Sequence, residues 1–335
     1  MSGVSRSKST RVAFLGLAIL ITATVPCTAE GLGDGDCAQL HSRVVDQVAK
    51  GQRKEAEAAL SKALANSSNR AEGICAGLIS GDLAAIALNS GRPSDAERFA
   101  EQSLNALGKS YPPNAPILLH TLQVLCSARF QQDKIGAARQ AFERMRYIPA
   151  ERSEDRALVH GLHAALLVAK SKYSEAETEY LAVTAALEQA GRLQTSDAAT
   201  NFTELASLYI RQQRYEDARK ELDRAWELLT TAKDAVPLDL INLLDIRAIL
   251  HVRLAQWTEA ERDLLHAMSL ADHEREMDPR TIEALLTNYA IVLRKTDRQR
   301  EARRVDARLA ALQHQQTAVV DVSELLQTAK HSNRR

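Results

Sequence analysis

The stretch Phe202-Thr-Glu-Leu-Ala-Ser-Leu-Tyr-Ile210, its break at Arg211 to Arg214, and the resumption Tyr215-Glu-Asp-Ala-Arg-Lys-Glu-Leu-Asp-Arg-Ala-Trp226 decide the fold. Phe202, Leu205, Ala206 and Tyr209 fall on one stripe of a helix. Tyr215, Ala218, Leu222, Ala225 and Trp226 resume the same three- and four-residue steps after a polar turn. This is the pattern of a helical hairpin.

Ala218 recurs. Ala56, Ala96, Ala138, Ala176, Ala218, Ala260 and Ala302 stand 40, 42, 38, 42, 42 and 42 residues apart. Twelve residues before each stands Val44, Ala84, Cys126, Ala164, Ala206, Ala248 or Ala290, all of modest size. Two helices cross closely only where their side chains are small, so the paired sites predict one tight crossing per unit. Four residues after the alanines come Leu60, Ala100, Phe142, Tyr180, Leu222 and Leu264, suited to burial against the next unit, and finally Asp306, which is not. A period of this length marks stacked hairpins that cannot bury their apolar faces alone. The expected fold is all-α, a right-handed solenoid of about seven hairpins over residues 37–313, with its regular stack ending at Asp306.

These residues resemble the tetratricopeptide repeat, in the longer variety of about 42 residues found in kinesin light chains. The match is clearest in Phe202 to Tyr209 with Tyr215 to Ala218, in Trp257-Thr-Glu-Ala260 and in Leu286-Thr-Asn-Tyr-Ala290. Arg53 and Pro93 stand in earlier units where later ones carry Tyr173, Tyr215 and Trp257. The resemblance implies a scaffold that holds a peptide or helix of another protein in a concave groove lined by the first helices. Asn288 matches the asparagine with which such repeats hold a peptide backbone. The carboxylate clamp of some relatives has no counterpart, since its sites hold His41, Gly81, Gln123, Gly161, Thr203, Asp245 and Thr287.

The chain has 335 residues, 45% hydrophobic but only 4% aromatic, which suits long helices more than sheets. Arg6, Lys8 and Arg11 precede an uncharged run from Val12 to Val25, and small residues follow at Pro26-Cys27-Thr28-Ala29. That run is short of the roughly 20 residues needed to span a bilayer. Residues 1–29 are therefore expected to be a signal peptide cleaved near Ala29, with an uncleaved tether as the alternative. Gly31, Gly33 and Gly35 lie in an expected flexible leader, residues 30–36. The mature chain would be periplasmic or secreted and carry no membrane span. It keeps 40 basic against 43 acidic residues, and no global field favours nucleic acid. Proline before Cys27 disfavours lipidation.

Cys37 and Cys75 fall near the starts of the first helices of adjacent units, a spacing that permits a disulfide in an oxidising compartment. Cys126 reads as a small buried hydrophobe. Spacing places Val45, Val48, Phe130, Ser207, Ile210, Ile249, Val252, Ile291 and Arg294 toward the inner surface, where binding would come from burying a partner's apolar side chains. The competing reading is that several of these are packed inside the stack. No HExxH, CxxC pair, GxxxxGK or GxSxG occurs, so neither an enzyme nor a cofactor is expected. His160 and His163, near Glu154 and Asp155, are two imidazoles on one helix and too few for a metal site. Arg294 to Arg308 carry a local net charge of +4. Asn66 and Asn201 sit in N-x-S/T triplets, and Val319 to Leu326 suggest a short helix in a terminal segment, residues 314–335, that covers the last hairpin or lies in the groove. A structural subunit working through its outer faces, and an enzyme with a site built across units, are the rival readings.

Overall fold

The computed structural model describes residues 34–50, 52–66, 73–231, 235–273 and 277–313. The expected signal peptide and terminal segment, residues 314–335, lie outside them. Among the described residues all regular structure is helical. The elements are α1 (Asp34–Ala49), α2 (Arg53–Asn66), α3 (Ile74–Asn89), α4 (Pro93–Leu107), α5 (Leu119–Gln131), α6 (Ile135–Met145), α7 (Ser153–Ala169), α8 (Tyr173–Gln189), α9 (Ser196–Arg211), α10 (Tyr215–Thr231), α11 (Pro237–Arg253), α12 (Trp257–His273) and α13 (Pro279–Lys295). A last helix, α14, covers residues 299–313. The expected leader is shortened by α1, which begins at Asp34 and runs through the disulfide-anchored Cys37.

Consecutive helices pair into seven hairpins among the described residues, and successive first helices lie side by side except α7 and α9. The small sites close the crossings: Ala56, Ala96, Ala138, Ala176, Ala218 and Ala260 are fully buried, as are Val44, Ala84, Cys126, Ala164, Ala206 and Ala248. Leu60, Phe142, Tyr180, Leu222 and Leu264 fill the seams between units. Burying one such side chain contributes about 1.5–3 kcal/mol. Asp306 instead pairs with Arg294 at 2.6 and 2.7 Å in the last described hairpin. Pro237 and Pro279 take the first positions of α11 and α13, and Pro116 opens a 3-10 turn leading into α5.

The turns inside the hairpins share one backbone device. Five residues before the recurring alanine, Gly91, Asp133, Ser171, Gln213, Ala255 and Asp297 have φ between 57° and 67°. The next amide donates to a carbonyl five residues back, as from Arg214 to Tyr209 and from Arg298 to Leu293, both at 2.9 Å. This Schellman closure satisfies carbonyls orphaned at the end of each first helix and reverses the chain tightly. Only unit two uses glycine there, among the described residues.

A second recurrence ties unit to unit. Arg92, Lys134, Arg214 and Arg298, four residues before their alanines, reach Glu57, Glu97, Glu177 and Glu261 of the preceding unit at 2.7, 2.6, 2.8 and 2.5 Å. Cys37 and Cys75 are bonded, with Cα atoms 6.0 Å apart, and staple α1 to α3. The stack also curls back on itself. The Arg280 guanidinium donates to the Gln131 carbonyl at 2.6 Å, across 149 residues of sequence, and Asp278 presses on Gly91 so closely that a Cβ there would meet it at 2.9 Å. The start of α13 thus rests on the turns that end α3 and α5.

Candidate partner-binding surface

The first helices, α1 to α13 in odd steps, carry the expected groove residues, and the regular packing sorts them. Ile210 is a core residue, 6% exposed, because α9 turns it into the cluster formed with α10 and α11. Phe130, Val48, Ile249 and Val252 are half-buried against the cores of their own units. Val45 and Ser207 are also half-buried. Ile291 alone among the apolar candidates is exposed, at 38%. Asn288 donates its side-chain amide to Asp245 Oδ1 at 2.7 Å, so it bridges α11 and α13. Arg294 is held by Asp306 on α14.

One register of the inner face repeats chemistry that spacing alone did not disclose. His41 on α1 meets Asp82 on α3 at 2.9 Å in the first seam, and Asn288 on α13 meets Asp245 on α11 at 2.7 Å in the seam of units six and seven, at the same two registers, fifteen and fourteen residues before the alanines. Burial raises the Asp82 pKa, opposed by His41. Burial likewise pushes Asp245 up to about 6, opposed by the Asn288 hydrogen bond. The equivalent places between units four and five hold Gly161 and Glu204. Glu204 is 4% exposed, and burial pushes its pKa up to about 8, with Arg211 and Tyr180 pulling the other way. Its nearest donor is the Tyr180 hydroxyl at 3.5 Å. Here α7 and α9 pack less closely than other successive first helices, and a narrow slot of about 20 Å³ lined by Gly161, Ala157, Leu158 and Val183 opens beside them. That is room for about one water molecule.

The larger hollows are lined mostly by residues of the second helices, where the groove reading did not look. One of about 490 Å³ separates α12, α13 and α14, floored by Leu265, Met268, Leu286 and Val305, with Leu265 46% exposed. Another of about 350 Å³ lies among α10, α11 and α12 and is charged, with Arg247 clasping Asp263 at 2.7 and 2.8 Å.

Remaining candidates find structural partners. His160 and His163 share Glu179 of α8, at 2.6 and 2.9 Å, and the His163 ring stacks on Phe142. Cys126 is fully buried and burial pushes its thiol up to about 12, which leaves no thiolate for chemistry. Asn201 is fully buried and donates to the Tyr180 carbonyl and Thr184, so its triplet is no acceptor for sugar. The Asn66 side chain is not among the described ones.

No family model matches the chain, and no curated protein sequence matches it. Solved structures do. The apo form of RapI is 9% identical and superposes with a TM-score of 0.61 over 84% of this chain and 99% of that one. A Rap protein complexed with competence and sporulation factor is 14% identical, with a TM-score of 0.60 over 85% of this chain and 77% of that one. The putative kinesin light chain repeats from Podosopora anserina, 20% identical, cover 58% of this chain and 94% of theirs, with a TM-score of 0.46. The two Rap proteins establish that the fold is an all-α solenoid of tetratricopeptide-like hairpins.

Proposed function

We propose that the chain is an exported, non-catalytic scaffold that holds an extended segment of a partner protein against its inner face. The observation that carries this reading is a register: Ser207, Ile249 and Ile291, eleven residues before their alanines, stay partly or fully open on three successive first helices. The half-buried Ile249 and the exposed Ile291 bind by burying a partner's own apolar groups, at about 25 cal/mol per Å² before association costs. A similarly folded Rap protein, solved with its competence and sporulation factor, supports the scaffold reading by analogy of fold. The disulfide supports export, since such bonds persist in oxidising compartments.

Selection of random peptides displayed on phage tests the proposal. Enriched peptides are expected to bind the parent and to lose binding to an Ile249→Asp, Ile291→Asp variant whose helicity and melting are unchanged. Undiminished binding rejects the inner face. The outer hollow with its exposed Leu265 favours a second reading, a structural subunit contacted between α12 and α14. In that case Leu265→Asp, not the inner pair, abolishes binding. Export is checked by sequencing the N-terminus of the mature protein, expected at residue 30.

A further inference from the structure

Two sets of cations occupy fixed places at the hairpin turns, and only one is spent on the fold. The set four residues before the alanine forms the inter-unit rungs to Glu57, Glu97, Glu177 and Glu261. The set seven residues before the alanine is Arg211, Arg253 and Lys295, which end α9, α11 and α13. Among the described residues none of these three makes a salt bridge or a side-chain hydrogen bond. Arg211 does lower the pKa of Glu204, yet burial holds that carboxyl largely protonated at neutral pH, so it supplies little compensating charge. Asp297, two residues past Lys295, is the nearest acid in sequence and makes no ion pair with it.

The same register in units two to four holds Asn89, Gln131 and Ala169. A cation in the last turn complements the helix dipole anywhere, and that role alone does not explain why α3 does without one while the Arg129 of α5 is tied to Glu97 and Glu101. Occupancy does. The neutral rim of units two and three is covered by the chain itself, where Arg280 and Asp278 sit on Gln131 and Gly91. In the rim of units five to seven, among the described residues, Arg253 and Lys295 are exposed and Arg211 partly so, and one helical turn below each cation stands Ser207, Ile249 or Ile291.

We propose that this rim receives an acidic, extended segment of a partner protein, its carboxylates on Arg211, Arg253 and Lys295 and its apolar side chains on Ile249 and Ile291. The inference rests on the inner-face reading above and names the chemistry of its guest. Neighbouring helices pack about 8–10 Å apart, and an extended chain in the polyproline II conformation returns to the same side every three residues after advancing about 9 Å. The segment therefore carries Asp or Glu at every third position. A single-stranded nucleic acid fits less well, because its bases call for aromatic platforms and this register supplies none.

The test uses the same phage selection on the parent and on an Arg211→Gln, Arg253→Gln, Lys295→Gln variant, with circular dichroism confirming that the variant folds. Parent-selected peptides are expected to be enriched in acids at every third position. A synthetic peptide of that pattern is expected to bind the triple variant about tenfold more weakly, because exposed ion pairs are weak singly and three act together. An Arg211→Lys, Arg253→Lys variant retains binding, and the parent's affinity falls steeply with salt. Peptides selected without acids, or bound equally by the triple variant while the Ile249→Asp, Ile291→Asp variant fails, overturn the rim and leave the inner face standing. A parent that selects no peptide overturns both. An oligonucleotide that binds through the three cations where the acidic peptide does not overturns the protein partner.

Discussion

The seam between units four and five and the seam between units six and seven each bury an acid at the same level, and they accommodate it differently. Asp245 receives a hydrogen bond from Asn288, which draws its pKa back to about 6. Glu204 faces the level of Gly161, which has no side chain to offer, and its pKa is pushed to about 8. A buried carboxyl is stabilised by a donor or by keeping its proton, and the neighbouring unit decides which. The repeat therefore fixes where an acid goes, and the seam fixes its charge.

Five experiments break or sharpen this contrast. The largest effect is expected at the stapled first seam, used as reference. Cys37→Ser with Cys75→Ser removes about 4 kcal/mol of loop-closure stabilisation, read as early proteolysis in α1 and α2 with the later seams unchanged. Next is Glu204→Gln. The folded pKa lies above the ordinary 4.5, so the wild-type stability is full below that value and falls as pH rises toward 8. The variant is expected to be more stable by on the order of 3 kcal/mol at pH 7, with no gain at pH 4. Denaturant melts at the two pH values check it, and an equal gain at both would reject the protonated carboxyl.

Asn288→Leu, which removes the donor from Asp245, should cost about 1–3 kcal/mol and extend the pH range over which stability falls to above 6. Gly161→Ser offers Glu204 a hydroxyl. It is expected to add about 0.5 kcal/mol of helix propensity and to flatten the pH dependence of the fourth seam. A melt as steep in pH as the parent's would show that the hydroxyl does not reach. Smallest is Ala255→Gly, outside both seams. Relieving a left-handed alanine should stabilise by about 1 kcal/mol or less, whereas Ala255→Val should destabilise.

Much of the fold is legible in the sequence because its cause is local and periodic. Seven small residues at one phase and seven more twelve residues earlier predict the crossings. The αL turns were legible only in Gly91, since Asp133, Ser171, Gln213, Ala255 and Asp297 carry no glycine signal. The rungs from Arg92 to Glu57 and from Arg214 to Glu177 were written as a phased Arg–Glu pair, a signal that a search for apolar positions passes over. The binding surface was read less well. Ile210 belongs to the core, and Asn288 and Arg294 hold other helices, because spacing gives the face of a helix but not how far its neighbour leans over it.

Sequence alone determined the hairpin, its period and the number of units, since each follows from side-chain size repeated along one chain. Tertiary structure alone decided that the start of α13 closes over the turns of units two and three, that α7 and α9 stand apart, and which cations go unpaired. Those outcomes depend on small rotations summed over successive seams, and no single unit's residues contain the sum.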